Sequence, residues 1–505
     1  MRQSILWIIA LLICSLPAIA QKKNVNNKPY PYGNPVIKHL YTADAAPHVM
    51  PDGRVWMITS IDDESKPTYN NMHSYHTFSS ADMVNWTDHG EVLHLRDVVA
   101  DEPEGEDWAL WAPDMIYKDG KYYLYFPIRI LKEGHKGAIT WTAVAVSDHP
   151  AQRFKVIQPR IPGTKGIDPA IFRDDDGEIY LYFGPSLVAT LADNMTEFSS
   201  PVKSLELDTE KVLDNKDFQN MWTGKSDNKK YNSPNYMEAP WMHKRNGIYY
   251  FNYHTQYGSD VKTHTDDPTR RKSHLDYSIG KSPWGPLDYA GTLNRELGVG
   301  VDGGPRSPQG DFVPWRLTQS NHGGIVEFHG KDYLFYHTSA LSSWRQDEFH
   351  AEGTWTQRSV CIDEIKYDEC GYALPVKQTI EGPAPVKITQ AFDIVLAAKA
   401  QLKNSQAVFR NVNLGSGYYY FDATLPQGNH TGKLEIRLDS PEGMLVGTCL
   451  VTPEKLRTRK GLTDTSIRDA KGQHDVYLIW KGNVNSPTVL ENPRFFAGSP
   501  QKSNP

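Results

Sequence analysis

Three carboxylates in this chain stand just ahead of a proline: Asp44 three residues before Pro47, Asp168 one before Pro169, and Glu238 two before Pro240. In two further segments of the same kind that place is taken by Trp111, ahead of Pro113, and by His322, ahead of Gly323. Two carboxyl groups are enough to break a glycosidic bond, one protonating the leaving oxygen while the other activates water or attacks the sugar. Crowding carboxylates together drives their pKa values apart, so that one stays protonated while another is ionised. An indole face suits stacking on a sugar ring. An imidazole serves equally as a buried hydrogen-bonding group or as the ligand of a cation. Each residue also has a structural alternative: Asp44 as a loop cap, Asp168 as an Asp-Pro turn residue, Glu238 as a rim charge, Trp111 as core. Their common register favours a shared site.

That register comes from a repeat. "APHVMPDGRVWMITS" from Ala46, "APDMIYKDGKYYLYF" from Ala112, "DPAIFRDDDGEIYLYF" from Asp168, "APWMHKRNGIYYFNY" from Ala239 and "GGIVEFHGKDYLFYH" from Gly323 each read as strand, glycine turn, strand. The turn glycines are Gly53, Gly120, Gly177, Gly247 and Gly330. A hairpin with glycine at a positive-φ turn position accounts for the pattern. Intervening pieces such as "HTFSSADMVNWTDHG", "TAVAVSDHPAQRF" and "HLDYSIGKSPWGP" read as outer strands of the same sheets. Five irregular repeats predict five blades of a β-propeller, whose innermost strands bring their mouths to one axial pocket.

The 505 residues are 39% hydrophobic and 11% aromatic, enough for more than one well-buried domain. The net charge of −6 is scattered along the chain and gives no basic face for nucleic acid. No phosphate-binding glycine loop, HExxH or CxxC motif occurs. Residues 1–20, "MRQSILWIIALLICSLPAIA", have the layout of a cleaved export signal, with an apolar run shorter than the roughly 20 residues that span a bilayer. The expectation is an exported protein, periplasmic or secreted, with no membrane span. Ile13 before Cys14 is bulkier than a lipid-attachment signal usually carries. Beyond the signal only Cys361, Cys370 and Cys449 remain, too few for a disulfide framework; a Cys361–Cys370 bridge across a tight turn is one expectation, with Cys449 free.

With "YTADAAPHV", "WAPDMIYKDGKYYLYFP", "GIDPAIFRDDDGEIYLYFG", "YMEAPWMHKRNGIYYFNYH" and "NHGGIVEFHGKDYLFYH" in view, residues 30 to 382 resemble glycoside hydrolase family 43. The resemblance implies a five-bladed propeller over residues 21–382 and hydrolysis that inverts the anomeric centre. It implies Asp44 as general base, Asp168 as the residue that orients the acid and raises its pKa, and Glu238 as general acid. It further implies a calcium or sodium ion on the axis near His322, no cofactor for the chemistry, and substrate contacts from Trp111 and from Arg358 in "TQRSVCIDEIKYD". An inverting pair needs room for water, so Glu238 and Asp44 are expected roughly 6.5–9.5 Å apart. "TADAAP" departs from the Ala-Asp-Pro common in the family, which bears on loop shape and substrate rather than on the chemistry. The Met-Asn-Asp-Pro-like nucleophile motif of the related sucrose-cleaving propellers is absent.

Pro383 and Pro385 mark the end of the repeat, and the alternating strands of residues 386–499 predict a β-sandwich. "EIRLDSPEGMLVGT" and "HDVYLIW" resemble a family 6 carbohydrate-binding module, but "PEKLRTRKGLTDTS" stands where many such modules carry a stacking Trp. Sugar binding and bracing of the propeller are both open to this module. The whole reads as an exo-glycosidase releasing terminal pentose, α-L-arabinofuranose first, from plant polysaccharide or oligosaccharide. β-Xylosidase, galactofuranosidase or galactanase activity are the alternatives, with a non-catalytic sugar-binding propeller as the rival from another class.

Overall fold

The computed structural model describes residues 28–99, 108–131, 138–208, 236, 238–257, 272–295, 306–307, 309–310, 320–350, 353–484 and 487–498. Residues 1–20, where an export signal is expected, lie outside them. The protein is all-β, 51% strand against 5% helix. Five antiparallel-based sheets succeed one another along the chain as blades of a propeller. Blade 1 runs from Thr42–Val49 to Trp86–His94, blade 2 from Trp108–Leu110 to Lys155–Gln158, and blade 3 from Ala170–Arg173 to Lys203–Ser204. Blade 4 is built on Glu238–Arg245, Ile248–Tyr257, Lys272–Gly280 and Leu287–Arg295, with Leu207–Asp208 added in parallel at its outer edge. Blade 5 holds Gly324–Phe328, Lys331–Thr338 and Ser359–Ile365.

Three of the five repeats are hairpins whose turn dipeptide accepts left-handed backbone. Asp119-Gly120, Asn246-Gly247 and His329-Gly330 all have both φ angles positive, the geometry that matches the twist of two-residue hairpins. Large apolar side chains from adjoining blades, among them Met115, Phe126, Phe172, Tyr182, Phe251 and Tyr277, fill the wedges between sheets. The ring is closed by the amino-terminal segment, which hydrogen-bonds the outer edge of blade 5. Val36 N–H donates to Val360 O at 2.9 Å, and the Asn34 amide exchanges bonds with Ile362 at 3.0 and 2.9 Å. An edge that would otherwise be open for pairing is covered.

The carboxy-terminal strands form two sheets packed face to face. One holds Asp393–Val395, Val489–Phe496, Tyr420–Thr424 and Leu462–Ser466, and the other Gln406–Asn413, Gln473–Val484, Thr431–Leu438 and Leu445–Val451. This sandwich meets the base of the propeller at all five repeat turns. Gly53 lies against Ala497, and a Cβ there would fall 1.5 Å from the Ala497 carbonyl oxygen. Asp119 pairs with Lys455 and Arg459, and Asp175 with Arg468 at 2.7 Å. Asn246 N–H donates to Asp469 at 2.9 Å, and His329 N–H to the Tyr419 hydroxyl. The segment "PEKLRT" is a short helix, Pro453–Thr458, and its Lys455 also reaches Asp193.

The cysteine expectation is corrected: Cys361, Cys370 and Cys449 are all free. Cys361 is buried in the last strand of blade 5, its sulfur 3.4 Å from the Thr338 hydroxyl, whereas Cys370 is exposed in the turn that follows. The strand Ser359–Ile365 carries the Cys361 side chain inward, away from that turn.

Candidate active site

The carboxylates reach the axis because the innermost strands are kinked at their mouths. Asp44 has φ +55° and Asp168 φ +57°, and Ala239, beside Glu238, has φ +59°. Such backbone is uncommon for residues other than glycine and recurs at functional sites. In blades 1 and 4 the ladder slips at the same place, between Ala43 and Ala46 and between Glu238 and Trp241, as at a β-bulge that re-aims a side chain. Gly323 and Gly324 let blade 5 come in equally close. A Cβ on Gly324 would lie 2.3 Å from Pro47 Cδ, and one on Gly323 2.5 Å from the Asn252 amide.

Asp44, Asp168, Glu238, Trp111, His322 and Arg358 therefore line one axial pocket of about 410 Å³, joined by Tyr69, Met72 and Ser320. Asp44 is buried. Its Oδ2 accepts the Ser60 hydroxyl at 2.6 Å, its Oδ1 accepts Arg358 Nη1 at 2.8 Å, and its backbone N–H donates to His337 Nδ1 at 3.2 Å. Burial pushes this carboxyl's pKa up, but Arg358, His322 and His337 outweigh it and hold the group far below the usual carboxylate range. Arg358 is no surface charge: it is 1% exposed, and its Nε and Nη2 grip Asp62 at 2.9 and 2.8 Å while Nη1 serves Asp44.

Asp168 accepts the N–H of Ala239 at 2.9 Å, which fixes the peptide next to Glu238. Its pKa is raised by burial and by the charges of Glu238 and Asp44, with His322 opposing. Glu238 receives His254 Nδ1 at 3.2 Å from the paired strand. Burial raises the Glu238 carboxyl, but the contacts with His254 and His322 outweigh it and leave the group below its ordinary value in the free site. Trp111 is half-buried, with its indole N–H on Tyr69 O at 2.8 Å and the Arg129 guanidinium 5.4 Å from the ring centre.

His322 stands between two acids, Nδ1 3.0 Å from Asp44 and Nε2 3.6 Å from Asp168. Burial disfavours its charge, but the carboxylates of Asp44 and Asp168 outweigh it and raise its pKa well above the ordinary value. Asp44, His322 and His337 bring three donor atoms within 4.8 Å of one another. That set does not suit calcium or sodium. Calcium takes six to eight oxygen ligands. Two of the three donors here are imidazole nitrogens, and the Asp44 oxygen is already held by the Arg358 cation.

Sequence reasoning did not single out Ser60, Asp62, Tyr69, His254 or His337. For three of them the repeat held a signal. Ser60, His254 and His337 occupy the same position after Gly53, Gly247 and Gly330, facing the mouth of the first strand. Tyr69 sits in the short turn Tyr69–Asn71, and its buried hydroxyl has no hydrogen-bond partner among the described residues. No periodicity marks it.

The model of the family described as glycosyl hydrolases family 43 matches residues 32–372, and that of the carbohydrate binding module (family 6) matches residues 400–492. A "Xylosidase/arabinosidase" of Bacteroides ovatus is 31% identical over 382 residues, covering 68% of this chain and 95% of that protein. An "Arabinoxylan arabinofuranohydrolase" of Bacillus subtilis (strain 168) is 27% identical over 530 residues, covering 94% of this chain and 95% of that protein. Among solved structures, a family 43 β-xylosidase/α-arabinofuranosidase from a compost microbial metagenome, in complex with xylotriose and calcium-free, superposes with a TM-score of 0.50. It is 28% identical, covering 70% of this chain and 99% of that one. The matched propeller and the buried carboxylates on its axis agree: this chain belongs to glycoside hydrolase family 43 and is a glycoside hydrolase carrying a family 6 carbohydrate-binding module.

Proposed function

We propose that the protein is an inverting exo-glycosidase that releases terminal α-L-arabinofuranose from arabinoxylan-type plant polysaccharide. The observation that carries this reading is the convergence of Asp44, Asp168 and Glu238 on a single axial pocket. Asp44, ionised beside Arg358, takes a proton from a water molecule as that water attacks the anomeric carbon. Glu238 gives its proton to the departing glycosidic oxygen, so the sugar leaves with inverted configuration and the aglycone as its alcohol. Asp168 holds the Ala239 peptide and adds negative charge near Glu238. A bound sugar strips further water from Glu238, and burial is the influence that raises its pKa.

Arabinofuranose is favoured over xylose because the Bacillus subtilis relative, which aligns along both domains, is named for it. Relatives named as xylosidase/arabinosidase support the β-xylosidase alternative. The leader-like residues 1–20 support export.

Purified protein incubated with arabinoxylan, arabinan and xylo-oligosaccharides, beside Glu238→Ala, tests the proposal through the monosaccharide released. Arabinose from wild type alone supports it, xylose alone moves the substrate to the alternative, and release of neither overturns the pentosidase reading.

A further inference from the structure

The three residues that share one position after their turn glycines all touch the mouth carboxylates. Ser60 bonds Asp44, His337 accepts from the Asp44 peptide, and His254 reaches Glu238. His254 is wholly buried in Ile248–Tyr257, directly opposite Glu238 in the ladder, with Nδ1 3.2 Å from Glu238 Oε1 and Nε2 3.3 Å from Ser273 Oγ. A buried histidine between a serine hydroxyl and the acid of the reaction can carry a proton on Nδ1, on Nε2 or on both. With the Ser273 hydroxyl donating to Nε2, the imidazole proton sits on Nδ1 and points at Oε1.

We infer that His254 is the positioning residue of the general acid: its Nδ1–H occupies Oε1, so that the transferable proton of Glu238 is carried on Oε2, facing the glycosidic oxygen. This rests on the reading of Glu238 as the acid. Once the proton has passed from Oε2 to the leaving oxygen, the carboxylate left behind keeps a charge-assisted bond from His254, which stabilises the step as charge develops. The same bond favours the ionised form of Glu238 in the free enzyme, and burial opposes it. Among the described residues, the other ionisable groups facing the pair are Asp168 and His322 beside Glu238, Tyr69 across the pocket, and His337 beside His254.

The test compares wild type, His254→Leu, His254→Asn, Ser273→Ala and Glu238→Gln on 2,5-dinitrophenyl and phenyl glycosides of the released pentose, over the full pH range. Asn places an amide N–H where Nδ1 stood. His254→Leu is expected to lose about 100-fold in kcat on the phenyl glycoside and under about 5-fold on the activated one, consistent with general-acid contributions of about 10²–10⁴. Its alkaline limb in kcat/KM moves to higher pH, and His254→Asn restores both toward wild type. Ser273→Ala shows the same leaving-group split, smaller in size, and carries the test if His254→Leu does not fold. Equal losses on the two substrates with an unmoved alkaline limb, in His254→Leu or Ser273→Ala, overturn the inference and leave a packing role. If Glu238→Gln itself shows no leaving-group split, the acid assignment falls and the inference with it; a split in Glu238→Gln without one in the His254 variants sinks the inference alone.

Discussion

Arg358 links the two sides of the base: one guanidinium fixes Asp62 by two bonds and Asp44 by a third. Lysine has one point of charge and cannot reproduce that fork. Arg358→Lys is therefore expected to raise the pKa of Asp44 toward the ordinary carboxylate value. Because the base works ionised, activity is lost as pH falls through the new value, and the acid limb of the kcat/KM profile shifts upward while the alkaline limb stays. Glu238→Gln should cost about 10²–10⁴ in kcat on unactivated glycosides and much less on activated aryl glycosides, a split read directly from initial rates. At this scale the sequence carried the acids well, since their proline register is periodic. It carried their partners poorly, because Ser60 and His254 meet the groups they hold only through strand pairing, and Asp62 meets Arg358 only where blades 1 and 5 come together. Arg358 in a strand context resembles a surface charge until Asp62 and Asp44 are seen beside it.

The bulged innermost strands are the elements that turn a repeat into a site. Their hairpins were legible from turn glycines and aromatic alternation, and three of the five turns have the doubly positive φ that such dipeptides favour. The helix Ala340–Asp347 was not anticipated, because eight residues are too few to show a clear 3.6-residue period. The seam between blades 5 and 1 depends on Gly324, which lies against Pro47 and the Ala45 carbonyl, next to Asp44. Gly324→Ala forces these backbones apart. The expected cost is about 1–3 kcal/mol in denaturant unfolding, the usual range for overpacking. A loss of kcat exceeding the loss of folded protein should accompany it, since Asp44 moves with the strand.

In the whole molecule the carboxy-terminal sandwich acts as a base plate for the propeller, in contact with every repeat turn. A single calorimetric transition is expected for the intact chain, with the propeller transition lowered by removal of residues 386–505. Two independent transitions, the first unchanged by truncation, would separate the domains energetically. Bracing of the propeller is one of the two roles the sequence leaves open to this module, but its polar seam is not legible there, because charges such as Asp119, Asp175 and Arg468 read as ordinary surface residues until two domains meet. At that seam Glu327 is pushed up to about 7 by burial and by the charges of Asp332 and Asp469. A carboxyl bound more tightly to its proton in the folded state stabilises below its ordinary pKa and loses that contribution as pH rises through about 7. Glu327→Gln should therefore come close to wild type in Tm near pH 5 and exceed it by about 1–2 °C near pH 8, the shift that about 1 kcal/mol produces in a cooperative unit of several hundred residues.

Inversion requires a water molecule attacking from Asp44 while Glu238 protonates the opposite side. Proton NMR of the first sugar released from an aryl α-L-arabinofuranoside, or from the β-D-xyloside if xylose is the product, reads this directly. The inverted anomer is expected at the earliest time points, before mutarotation; the retained anomer appearing first would mean that one of these carboxylates had bonded to the sugar, and would rule out inversion.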